Sequence, residues 1–144
     1  MGEAIVVGTD GSETAKRAVE EATRLAKALD AELHIVSAFR PLRGAHVSGA
    51  PEGAARVWQP LPDSQVEAVL EQAAAGVRLS DVKYKTHTSE GDPGDALLAV
   101  ARQVDADMIV VGNRGMQGAR RVLGSVPNKV AHHAPCSVLI VSTA

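Results

Sequence analysis

Four short apolar runs, set apart by segments whose apolar residues recur every three to four positions, constrain this fold more than any other feature. The runs are Ala4-Ile5-Val6-Val7, Leu33-His34-Ile35-Val36-Ser37-Ala38, Met108-Ile109-Val110-Val111 and Cys136-Ser137-Val138-Leu139-Ile140-Val141. Short, β-branched and nearly continuous in apolar character, they predict strands covered on both faces. Between them, Ala15, Ala18, Val19, Ala22, Leu25, Ala26 and Leu29 fall on one helical face, as do Val66, Val69, Leu70, Ala73 and Val77, and then Leu97, Val100, Ala101 and Val104. A further helix is predicted over 125–133. The segment Val82–Thr88 alternates like an edge strand, where Lys83 and Lys85 discourage pairing with foreign chains. The resulting order, βαβαβαβαβ, predicts a single α/β domain over 1–144: a doubly wound, five-stranded parallel sheet with helices on both faces.

Composition narrows the partners. The 144 residues are 45% hydrophobic and 22% charged, with a formal net charge of −2. That is a globular chain without the basic stripe a nucleic-acid partner requires. One Trp, one Tyr and one Phe leave little with which to stack bases. The apolar run at 4–7 is too short for a signal peptide or a membrane span, so the cytoplasm is the expected compartment. A lone cysteine, Cys136, excludes an intramolecular disulfide framework and reads as a buried structural thiol.

In a doubly wound sheet, ligands gather at the carboxyl ends of the strands where the winding reverses. Two loops there have the chemistry of a binding site. Gly8-Thr9-Asp10-Gly11-Ser12 follows the first strand and supplies a turn and a helix N-cap. Gly112-Asn113-Arg114-Gly115 follows the fourth, and Gly124-Ser125-Val126-Pro127 opens the last helix. Gly112 and Gly115 carry no Cβ and tolerate φ > 0, so backbone N–H groups can approach an anion closely. Ser125 is expected to cap the helix while offering its hydroxyl outward, with Pro127 tolerated in the first turn. Neither GxxxxGK[ST] nor a GxGxxG after the first strand is present. The alternative to a phosphate cradle is a glycine-rich turn without a ligand. The stretch from Arg40 to Pro62, rich in proline and glycine, is too long for an ordinary connection and reads as a functional or mobile loop.

Taken with Ala134-Pro135-Cys136-Ser137-Val138-Leu139-Ile140-Val141, these motifs make the whole chain resemble the universal stress protein family, in its ATP-binding branch. The resemblance implies an adenine nucleotide α-hydrolase-like sheet of strand order 3-2-1-4-5 and a crevice for ATP, AMP or cyclic AMP. It also implies a homodimer joined through the strand at 136–142. By position it assigns Asp10 to the ribose or to a phosphate-bound Mg ion, and the backbone at Ala38 to the adenine. Gly112, Asn113, Arg114 and Gly115 would line the phosphates, and Gly124, Ser125 and Val126 would donate from the helix start. Gly8, Thr9 and Ser12 complete the nucleotide-binding set. One departure stands out: the family pattern places nine residues between its second glycine and its Gly-Ser, and Met116–Leu123 is eight. The shorter loop favours a monophosphate or cyclic nucleotide as much as a triphosphate.

Other readings stay open. Asp10 also fits an N-cap with Glu13 as its capping-box partner, and Arg114 a solvated surface charge. Arg120 and Arg121 lie in the same loop. His132 and His133 suit the dipole at a helix end, whereas His34, His46 and His87 are scattered without metal-ligand spacing. Asp92-Pro93-Gly94-Asp95 resembles an N-cap, a first-turn proline and an acidic N3 residue, which gives both aspartates capping work. No hydrolase triad or HExxH pattern occurs. Three functions fit: a nucleotide-binding regulatory module that senses its ligand in a stress response, a slow ATPase at most, or a ligand-free interaction dimer.

Overall fold

The computed structural model describes residues 3–40, 61–113, 116–117, 120–121 and 124–142. In chain order the elements are β1 (Ala4–Gly8), α1 (Glu13–Leu29), β2 (Glu32–Arg40), β3 (Leu61–Pro62), α2 (Asp63–Leu79), β4 (Tyr84–Glu90), α3 (Pro93–Gln103), β5 (Met108–Gly112), β6 (Met116–Gln117), β7 (Arg120–Arg121), α4 (Ser125–His133) and β8 (Ser137–Val141). The five long strands run β4-β2-β1-β5-β8, all parallel, which is the expected order 3-2-1-4-5. Two small elements add to that frame. β3 pairs with the far end of β2 at Phe39 and Arg40, so the last residues of the Arg40–Pro62 stretch are a strand; 41–60 lie outside the described residues. β6 and β7 form an antiparallel pair between β5 and α4, within the stretch read as a glycine loop.

Side-chain alternation along the strands divides the core in two. Ile5, Val7, Leu33, Ile35 and Val110 face α1 and α2, where Ala18, Val19, Ala22, Ala26, Leu70 and Val77 cover them. Val6, Val36, Ala38, Ile109 and Val111 face the other way, under Leu97, Val100 and Ala101 of α3 and Val126 and Val130 of α4. Small residues on α1 let that helix lie close against the sheet, which suits a core poor in aromatics. Leu29, assigned to the buried face by its spacing, is the last residue of α1 and is 45% exposed. β4 is an edge as expected, carrying Lys83 just before it and Lys85 within it, though it starts two residues later than the alternation indicates. Cys136 is only half-buried; burial and the nearby Asp107 carboxylate push its thiol pKa up.

Candidate functional site

β1 and β5 are adjacent, in register Val7↔Val110, yet their connections diverge: β1 leads through α1 to β2, and β5 through α4 to β8. The carboxyl ends of these two strands therefore border the crevice created where the winding reverses. Gly8, Thr9 and Asp10 stand on one side of it, Gly112 and Asn113 on the other. Parallel crossovers return their helices antiparallel to the strands, so α1 and α4 both begin at this edge.

The β1–α1 loop is held by local hydrogen bonds. Thr9 is buried; its N–H donates to the Val36 carbonyl (2.9 Å), and its own carbonyl accepts from the Ser37 hydroxyl (2.8 Å). Thr9 Oγ1 accepts from the Gly11 N–H at 3.1 Å, and Asp10 Oδ1 from the Ser12 N–H at 2.9 Å. Gly11 takes φ +83°, and a Cβ there would sit 3.3 Å from the Val69 side chain of α2. Ser12, not Asp10, is the N-cap: its hydroxyl accepts from the Ala15 N–H. Asp10 is thus spared the capping role and shapes the turn ahead of it. Ser37, which ties the loop to β2, is missing from the set drawn from sequence. Its signal was a hydroxyl inside the apolar run 33–38.

Across the crevice, Asn113 is buried and its N–H donates to the Val141 carbonyl, which anchors the end of β5 to β8. Arg114 and Gly115 lie outside the described residues, and for Arg120 and Arg121 only the strand assignment is described. The expectation for Ser125 needs correcting. Gly124 is the N-cap of α4, with no side-chain cap bond, and Ser125 is the exposed first helical residue. The apolar Val126 and Pro127 are the residues that seat this turn in the core, and the cap geometry falls to the residue without a side chain. Ala38 is buried on β2, two residues past the Val36 carbonyl that holds Thr9, and so reaches the same edge.

Two features beside the crevice complete its surroundings. Asp92 caps α3 through the Asp95 N–H (2.9 Å), and Pro93 occupies the first turn, as the sequence indicates. Lys129 of α4 reaches both carboxylates, 3.2 Å from Asp92 and 2.7 Å from Asp95, and so joins α4 to α3. Burial alone would raise the Asp92 pKa; the Asp95 N–H and the Lys129 ammonium outweigh it and hold that carboxyl below its usual range. Among the described residues no group of three or more His, Cys, Asp or Glu side chains has a metal-holding arrangement. The scattering assigned to His34 and His87 is also corrected: parallel pairing of β2 with β4 brings their ring nitrogens to 2.9 Å, away from the crevice, with His34 Nε2 2.9 Å from Glu32.

The universal stress protein family model matches residues 1–142. The chain belongs to the universal stress protein family. Universal stress protein Rv1636 of Mycobacterium tuberculosis is 38% identical over 148 aligned residues, 96% of this chain and 95% of the relative. Universal stress protein MJ0531 of Methanocaldococcus jannaschii is 32% identical over 143, covering 95% and 80%. Among solved structures, a universal stress protein in complex with cAMP superposes with a TM-score of 0.76 at 33% identity, over 99% of this chain and 98% of that one. The family and the doubly wound fold are thereby shown together. No helix among the described residues of this family member is long and apolar enough to cross a membrane.

Proposed function

We propose that this universal stress protein is an adenine-nucleotide-binding regulatory module whose ligand lies across the β1–β5 crevice. The observation that carries the reading is the divergence of the chain at β1 and β5, with a hydrogen-bonded loop on one side and a helix start on the other. The 33%-identical relative with bound cAMP supports the ligand class. In this reading the backbone at Ala38 meets the adenine. Asp10 meets the ribose or a Mg ion carried by the phosphates, which suits a metal that needs only one or two protein carboxylates. Gly112, Asn113, Arg114 and Gly115 line the phosphates, opposite the N–H groups of Gly124, Ser125 and Val126. Gly8, Thr9 and Ser12 set the loop that faces them.

Backbone donors and cations of this kind hold a ground state, so hydrolysis is expected to be slow or absent and the nucleotide to act as a signal. The eight-residue spacing favours AMP or cyclic AMP at least as much as ATP. Calorimetric titration with ATP, AMP and cyclic AMP tests the reading. Micromolar binding of one of them, abolished by Gly115→Val with the melting temperature unchanged, is the expected result. Failure of all three to bind, or unaltered affinity in the variant, would remove the crevice as a nucleotide site. Brisk multiple-turnover hydrolysis, lost in Asp10→Ala, would make the protein an enzyme instead.

The module is further proposed to act as a homodimer through β8. That strand pairs only with β5 among the described residues and carries no charge, and Val138, Leu139, Ile140 and Val141 are all half-buried. An edge of that composition is normally covered.

A further inference from the structure

α3 and α4 both begin at the carboxyl edge of the sheet and cover the same face of it. Val126, Pro127 and Val130 seat α4 in the core, but apolar packing is non-directional and does not by itself fix where the first turn points. Lys129 supplies the directional contacts. It lies five positions after Gly124, about 7.5 Å along the helix axis, and its ammonium is 3.2 Å from Asp92 Oδ2 and 2.7 Å from Asp95 Oδ1. We infer that Lys129 is a positioning residue for the phosphate side of the crevice, a role that rests on the nucleotide reading of that crevice. Bridged to α3 over Gly94, it sets where the Gly124, Ser125 and Val126 N–H groups are aimed.

Gly94 is what lets the bridge form. It lies in the first turn of α3 in ordinary helical backbone, so no turn demands glycine there. Space demands it: a Cβ would stand 2.9 Å from Lys129 Cδ and 3.2 Å from Asp92 Oδ2. The Lys129 stem thus crosses the one residue of that turn without a side chain and reaches the carboxylates that flank it in sequence. Asp92 Oδ2 serves twice, since the oxygen that accepts from the Asp95 N–H to cap α3 also takes the Lys129 ammonium. The lie of α4 is thereby tied to the cap of α3. Stability does not account for this arrangement, because all three side chains are partly exposed and ion pairs in that setting add little to folding. Geometry does. A helix start that holds a phosphate must keep its donors within about 0.5 Å of their productive placement.

The test is calorimetric titration of the intact protein with AMP and with adenosine, which lacks the phosphate. Lys129→Met and Asp95→Asn should each weaken AMP about fivefold to tenfold and leave adenosine unchanged, with the double variant no worse than either single one. Lys129→Arg should restore most of the affinity. Gly94→Ala, which pushes the Lys129 stem aside, should weaken AMP to the same degree while the melting temperature stays within a few degrees of the wild type. Arg102→Gln is the control: Arg102 lies 3.5 Å from the His133 carbonyl at the far end of the same helix pair, and its loss should alter neither affinity. Tighter AMP binding in Asp95→Asn would make charge rather than placement responsible, and equal losses for AMP and adenosine would make the bridge a support of the fold alone. Either result overturns the inference, as does full AMP affinity in Lys129→Met and Gly94→Ala. Failure of AMP to bind the wild type would instead bring down the nucleotide reading, and this role of Lys129 with it.

Discussion

At the scale of single residues, the start of α4 separates two roles that the sequence assigns to one serine. Gly124 provides the cap geometry and Ser125 is exposed without a capping bond. Ser125→Ala is therefore expected to change stability by less than about 0.5 kcal/mol, as for an exposed position with no structural partner. If the hydroxyl meets a phosphate, the same change should lower nucleotide affinity by about 1 kcal/mol. Chemical denaturation and titration of one variant check both. Gly76 offers the converse case: Gly76→Ala should stabilise the protein by about 1 kcal/mol, because the added methyl meets no neighbour and the helix gains propensity. An unchanged denaturation midpoint would show that this position is coupled to something beyond α2. The turn from Asp10 to Ser12 and the helix start at Gly124 were legible in the sequence because glycine and short polar side chains mark where a backbone leaves a strand or opens a helix. Ser37 and the His34–His87 contact were not, since each depends on which strand lies beside which, and pairing partners leave no mark in a single chain.

At the scale of elements, three of the four helices that lead into strands share an ending, and α4, which closes in extended backbone at Ala134, is the exception. Asp30, Asp81 and Asp105 each take a left-handed backbone conformation just after α1, α2 and α3. A carboxylate at the negative end of a helix is unfavourable, while asparagine tolerates the same backbone. Asp81→Asn is expected to raise stability by about 0.3–1 kcal/mol at low ionic strength, with the gain shrinking as salt is added. The β2–β4 pairing carries a titration of its own. Burial pushes the pKa of both His34 and His87 below the usual histidine range; Lys85 adds to this for both, and the Glu32 carboxylate opposes it. On α3, which covers this face, Asp95 is engaged by Lys129 and Arg102 lies by the His133 carbonyl. With pKa values lower in the folded than in the unfolded chain, the unfolded state binds more protons over the interval between them. Stability should therefore fall as pH drops below about 6.5 and level off beneath the folded-state values. His87→Gln should flatten that part of the profile in denaturation measured from pH 7.5 to 5; an unaltered slope would place the pH dependence elsewhere. Helix and strand periodicity located these elements well. The β3, β6 and β7 pairs escaped it because two residues are too few to show a period.

At the scale of the whole molecule, the two exposed edges differ in kind. β4 carries Lys85, with Lys83 just before it, and β8 is uncharged and half-buried along Val138–Val141. Leu139 and Val141 pack toward the α1 side of the sheet, and Val138 and Ile140 toward α3 and α4. Lysine at Leu139 or Ile140 should convert the proposed dimer to monomers or aggregates, as read by light scattering. A wild-type monomer at micromolar concentration would remove the dimer from the account. The parallel, doubly wound architecture was legible because strands covered on both faces must be apolar throughout, a pattern few other folds impose. Its strand order was available only through the family resemblance, since right-handed crossovers alone permit several orders. That order has a consequence in time. Val7 of the central strand acquires Val110 as a neighbour only after more than a hundred further residues have been made. At roughly 5–20 residues per second, the nascent chain spends on the order of 5–20 seconds with Ile5, Val6 and Val7 lacking their β5 neighbour. For that interval the middle of the future sheet is an unfinished edge, and it is during synthesis that this protein is most exposed to pairing with the wrong chain.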